Sequence, residues 1–126
     1  MRKLSIVFFL LVTAAALVLA QQDTRGLPAP DAQGYIPAAA ENLLLWINQN
    51  KLKEGDKLRV DGRYRSQKDN VIRLFGLKEV EFHYNKPVEV KASSNIRMWI
   101  YVPKGWNAST SALSAQLVVE RIEEIR

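Results

Sequence analysis

From Lys57 onward apolar residues recur at every second position, and that period restricts the fold more than any other feature of the chain. Leu58, Val60 and Tyr64 alternate with Arg59, Asp61, Arg63 and Arg65, so one face is apolar and the other charged, as in a half-buried strand. Gly62 interrupts the run where a strand bulges or coils sharply. After the turn material Gln67-Lys68-Asp69-Asn70, Val71 to Leu77 reads as a second strand. Val80, Phe82 and Tyr84 alternate with Glu81 and His83 in a third, which Asn85 and Pro87 close. The turn Ala92-Ser93-Ser94-Asn95 leads into a fourth strand, Ile96 to Val102. It carries Ile96, Met98, Ile100 and Val102 on one face and Arg97, Trp99 and Tyr101 on the other. Residues 103–111 form a polar loop. The last segment, Leu113 to Ile125, fits a strand by Leu117 and Val119 and a helical stripe by Val118, Ile122 and Ile125; a strand ending near Ile122 is favoured.

The start of the chain follows different rules. Arg2 and Lys3 precede an apolar run from Leu4 to Ala20 that ends in small residues, the pattern a signal peptidase reads. Residues 1–20 are therefore expected to be a signal peptide cleaved after Ala20, with Ala16 as an alternative site, and the protein to be periplasmic or secreted. Residues 21–37 hold three prolines and two glycines with few apolar groups, and read as a flexible tether. A helix is predicted next, with Pro37 in its first turn, Glu41 near the positive end of its dipole and a stripe of Leu43, Leu44, Trp46 and Ile47. Lys51 and Lys53 fall in its last turn and Gly55 is placed for the left-handed stop. Residues 38–126 thus make one domain, mostly β with an N-terminal helix.

An exported chain with no cysteine has no disulfide to hold it, so it stands on packing alone. That usage points to a bacterial origin. It also removes thiolate metal sites and cysteine nucleophiles, and the single histidine leaves no histidine-rich metal centre.

The run Lys57-Leu58-Arg59-Val60-Asp61-Gly62-Arg63-Tyr64 resembles the first strand of OB-fold domains, where a glycine lets the strand bend into both halves of a barrel. The ending Leu117 to Ile125 is similar to the closing strand of exported bacterial OB-fold proteins. The resemblance spans residues 56–125 and implies a small five-stranded OB-like barrel. The chain departs from that pattern twice. Lys86 to Asn95, short and containing Pro87, stands where such barrels carry a helix, and a helix is added before the first strand.

Catalysis finds little to work with. His83 alternates out of phase with Phe82 and so faces outward beside Glu81; no serine sits in a nucleophile elbow, and no glycine-rich phosphate loop is present. The expectation is a non-enzymatic protein with no catalytic residue, metal or cofactor. Binding has more support. The formal charge of +5 falls to +3 when Arg2 and Lys3 leave, and residues 51–78 hold nine basic groups against four acidic ones. Arg59, Arg63 and Arg65 share a face, and a neighbouring fourth strand would add Arg97, Trp99 and Tyr101. These six are the candidate ligand-binding residues, because cations beside flat rings are how OB surfaces hold single strands or sugars. The alternative for the rings is packing, and for the charges a solvated face with cross-strand ion pairs.

The function expected is a monomeric binding or adaptor module for an anionic glycan or an envelope protein, with no membrane span after processing. Nucleic acid is the lesser expectation, given export and the small net charge. A second reading is a structural or assembly protein of the envelope that docks through its tether and helix.

Overall fold

A computed structural model describes residues 25–106 and 115–125 of the chain. The expected signal peptide, the first residues of the tether and part of the loop after the fourth predicted strand lie outside the described residues. The elements are β1 (Ile36–Ala39), α1 (Ala40–Asn48), β2 (Lys57–Lys68), β3 (Val71–Leu74), β4 (Val80–His83), β5 (Asn95–Tyr101) and β6 (Ala115–Glu124).

Strand β2 is long enough to serve two neighbours. Lys57 to Arg63 pair antiparallel with Tyr101 to Asn95 of β5, while Tyr64 to Lys68 pair with β3. A bulge between Tyr64 and Ser66 adds to the bend. β3 pairs with β4, β4 runs parallel to β6, and β6 returns antiparallel to β5, so β2, β3, β4, β6 and β5 close on themselves. A closed five-stranded barrel in this order is the OB-like architecture expected from the sequence. Closure leaves the barrel interior to one side-chain set: Leu58, Val60, Ile72, Leu74, Phe82, Ile96, Met98, Ile100 and Leu117 are fully buried, with no buried polar residue among those described.

The hairpin between β2 and β3 turns on Asp69 and Asn70, both at positive φ (53° and 64°), the type I′ geometry that matches strand twist. Gln67 and Lys68, expected in that turn, belong to β2. The C-terminal ambiguity resolves as strand through Glu124: Ala115, Leu117 and Val119 are buried at period two and pair with both β4 and β5.

Two expectations near the N-terminus are corrected. Ile36 to Ala39 join the sheet as β1, parallel to β2, so the helix begins at Ala40 rather than Pro37. Its end comes at Asn48, and Asn50 (φ 58°) supplies the left-handed residue while Lys51 N–H donates back to the Trp46 carbonyl at 2.9 Å. Gly55 instead sits in the turn before β2, where its N–H donates to the Val102 carbonyl. The segment read as a tether, 21–37, is held against the barrel over its described part, 25–37. The Arg25 guanidinium forms a two-pronged ion pair with Asp56 and donates to the Lys51 carbonyl, and Leu27 is buried in the core cluster. Asp31 accepts the N–H groups of Gln33 and Tyr35, which folds the segment into β1. Composition hid this, because the contacts are few and long-range.

The stretch without its helix has its own fastening. The Gln67 side chain donates to the Lys86 carbonyl at 2.8 Å and to the Tyr84 carbonyl at 3.4 Å, and accepts the Val88 N–H at 2.9 Å. Val88 and Val90 then pack on the core, in the place of a helix. Gln67→Leu is expected to cost about 1–2 kcal/mol, the scale of partly exposed backbone groups left without partners. Amide exchange should quicken at Val88 first; unchanged protection there would contradict the clamp.

Candidate functional site

The outer face of β2, β5 and β6 is a lattice of internal pairs. Arg59 meets Asp31 at 3.2 Å, and Arg97 grips both carboxylate oxygens of Asp61 at 2.8 and 2.9 Å. The Tyr35 hydroxyl donates to Glu120 at 3.2 Å, with the Lys57 ammonium 5.5 Å from the Tyr35 ring. The hydrogen bonds from Tyr35 and Gln33, together with the Arg59 charge, hold the Asp31 carboxyl below its ordinary value. Burial, then the bond to Glu120, raises the Tyr35 hydroxyl, and the Asp61 hydrogen bonds raise Arg97. The Asp31 and Arg97 shifts mark charges already engaged.

Trp99 points outward between Arg97 and Tyr101 yet is only 7% exposed, and it stands apart from the core cluster. Its register partner Arg121 lies over the ring, 3.7 Å from the centroid, and the Trp99 Nε1 is buried without a hydrogen-bond partner. Tyr101 is half-buried at the far end of β5, opposite Lys57.

Arg63 and Arg65, the other two candidates, belong to a different group. Beyond Gly62 the strand has turned away from the lattice, and both guanidiniums sit over the ring of Phe75, at 5.2 and 5.9 Å. Phe75 is 41% exposed. The sequence pattern places it in the second strand, which ends at Leu74; its phase is the available signal, since Ile72 and Leu74 fill the inward positions and Phe75 falls opposite them, just before Gly76.

From Arg65 a concave basic surface runs across the β2–β3 hairpin. A cleft of about 470 Å³ is lined by Arg65, Lys68, Arg73 and Lys78, with Asp69 as the only acid on its wall. Arg73 is partly engaged, donating to the Lys78 carbonyl at 2.8 Å and reaching Glu81 at 3.3 Å. His83 Nε2 lies 3.3 Å from the same carboxylate, so His83 sits beside Glu81 on the outer face of β4, as its phase implied. Arg65, Lys68 and Lys78 have no ion-pair partner among the described residues. The six candidates are thus not one surface: four lie on the outer face of β2 and β5, Arg65 lines the cleft, and Arg63 stands beside Phe75 outside it. Lys68, Arg73 and Lys78 are not among the six candidates, although the basic concentration in residues 51–78 contains them.

The strand order defines the class: this is an OB-fold-like barrel domain. No protein-family model matches the chain, and no curated protein sequence matches it. Among solved structures the chain is similar to the telomere capping protein Ten1 of S. pombe at 18% identity, over 70% of this chain and 78% of that one, with a TM-score of 0.48. It is also similar to a chain of the S. pombe Stn1–Ten1 complex, at 18% identity over 70% and 73% of the two chains and TM-score 0.48. A third is replication protein A of U. maydis bound to ssDNA, at 15% identity over 79% and 75% and TM-score 0.48. Among the described residues no helix is long and apolar enough to cross a membrane.

Proposed function

We propose that the protein is an exported, monomeric, non-enzymatic binding module of a bacterial envelope, which holds an extended anionic ligand in the cleft on its β2–β3 hairpin. The observation that carries the proposal is the cleft itself, with four cations facing one acid on a concave wall. The lattice of β2 and β5 has its cations matched by Asp31 and Asp61, and a ligand there would have to displace those pairs. Export rests on the pattern of residues 1–20, and the absence of an enzymatic role on the single histidine and missing cysteine.

An anionic glycan fits the compartment and the charge together. Single-stranded nucleic acid presents similar charges, but export removes it from the usual encounter. Docking through tether and helix has less support, because residues 25–37 are already engaged with the barrel.

Binding by matched charges releases counterions and so weakens with salt. Heparin, as a polyanionic glycan probe, should bind with a log–log salt slope of about −3, taking four contacts at about 0.7 each. A flat salt dependence, or no binding at low salt, would remove the anionic ligand from the account.

A further inference from the structure

The change of neighbour along β2 leaves a second concavity. β1 ends where Ala39 pairs with Asp61, and β3 resumes only at Tyr64, with the Phe75 N–H donating to the Arg63 carbonyl at 3.0 Å. Over Gly62 the strand therefore has a paired neighbour on its β5 side alone. The gap opens as a groove of about 530 Å³, larger than the basic cleft, walled by Glu41, Gly62, Arg63, Phe75, Asn95 and Ile125 among others.

Its chemistry differs from that of the cleft. Among the described residues, the Arg63 guanidinium has no carboxylate partner and the Glu41 carboxylate no cation, while the Asn95 side-chain amide has no hydrogen-bond partner. The remaining acid on the wall, Asp61, is held by Arg97 at 2.8 Å. One cation and one anion stand in the same groove as the exposed ring of Phe75 and the side chain of Ile125. A polyanion meets Glu41 there and a simple cation meets Arg63, so neither is matched. A molecule carrying both charges and an apolar body is matched on all counts.

We propose that the groove over Gly62 binds an amino-acid zwitterion with an apolar side chain. The α-carboxylate pairs with Arg63, whose planar fork suits it, the α-ammonium pairs with Glu41, and the side chain lies against Phe75 and Ile125. Asn95 supplies a neutral donor and acceptor between them. This site is separate from the basic cleft and does not depend on it.

The test is an amide chemical-shift titration of the isotope-labelled protein with L-phenylalanine, L-phenylalaninamide and N-acetyl-L-phenylalanine at millimolar concentration. L-Phenylalanine is expected to shift Gly62, Phe75, Gly76 and Ile125 saturably. The two capped forms should each bind about fivefold more weakly, the upper scale of one ion pair at an exposed site. Arg63→Gln should erase the penalty for the amide while keeping that for the N-acetyl form, and Glu41→Gln should do the reverse. Both side chains are exposed, so the variants should keep the parent shifts elsewhere. The proposal is overturned by an absence of saturable shifts, by equal affinity for the three compounds, or by shifts confined to the cleft residues Arg65, Lys68, Arg73 and Lys78.

Discussion

Trp99→Ala lowers the stability of the domain by about 3 kcal/mol, the low end of the range for large aromatic truncations. The ring is covered rather than presented: Arg121 lies over it, and its two register partners are arginines. Its place outside the core cluster sets the low end, because water can enter part of the space that truncation leaves. In a domain of this size the loss is a fall of roughly 15 °C in Tm. Trp99→Phe separates the contributions of ring and indole. It keeps a flat face under Arg121 and removes the buried Nε1, whose lack of a partner costs about 1–3 kcal/mol in its own right. That substitution should be close to neutral. Thermal unfolding of the two variants decides the matter: an Ala variant as stable as the parent would contradict a packing role for the ring.

Gly62→Val is expected to prevent the barrel from closing. The Gly62 side chain position faces inward, and a Cβ there would lie 2.8 Å from Leu74 Cδ1 and 3.6 Å from Ala40 Cβ. Leu74 is fully buried, so its displacement is passed to packed neighbours. Gly62→Ala should cost about 1–3 kcal/mol, the scale of overpacking a filled core. Valine adds two further methyl groups at the same point. A double-mutant cycle isolates the cause, since Gly62→Ala should cost clearly less in a Leu74→Val background. Equal cost in both backgrounds would place the effect in the backbone instead of the contact.

The barrel was legible because its dominant cause is local. Leu58, Val60, Ile96, Met98 and Ile100 occupy alternate positions and go inside together, and the Gly62 interruption marks where the strand changes partner. β1 was not legible, because Ile36-Pro37-Ala38-Ala39 has no strand pattern of its own and is a strand only through pairing with Leu58 to Asp61. The grouping of the six candidate residues was less legible for a related reason. Period two shows that Arg59 and Arg97 face outward, but not that Asp31 and Asp61 will meet them. Asp31 comes from a segment that composition alone marks as unstructured. Trp99 was similarly ambiguous: its phase was right, and its cover came from Arg121 across a strand pair that the sequence does not specify. Arg65 lies apart from Arg59 and Arg97, since the bend at Gly62 carries it towards Lys68, Arg73 and Lys78.

The placement of the ligand surface is tested most directly by titrating heparin into two double variants at low and moderate salt. Lys68→Glu with Lys78→Glu inverts two cations of the cleft, and Arg59→Gln with Arg97→Gln removes two from the paired lattice. Affinity should fall by about a hundredfold in the first, at roughly 1.4 kcal/mol for each inverted contact, and stay near the parent value in the second. A loss confined to the Arg59 and Arg97 variant, with the Lys68 and Lys78 variant binding as the parent does, would contradict the account.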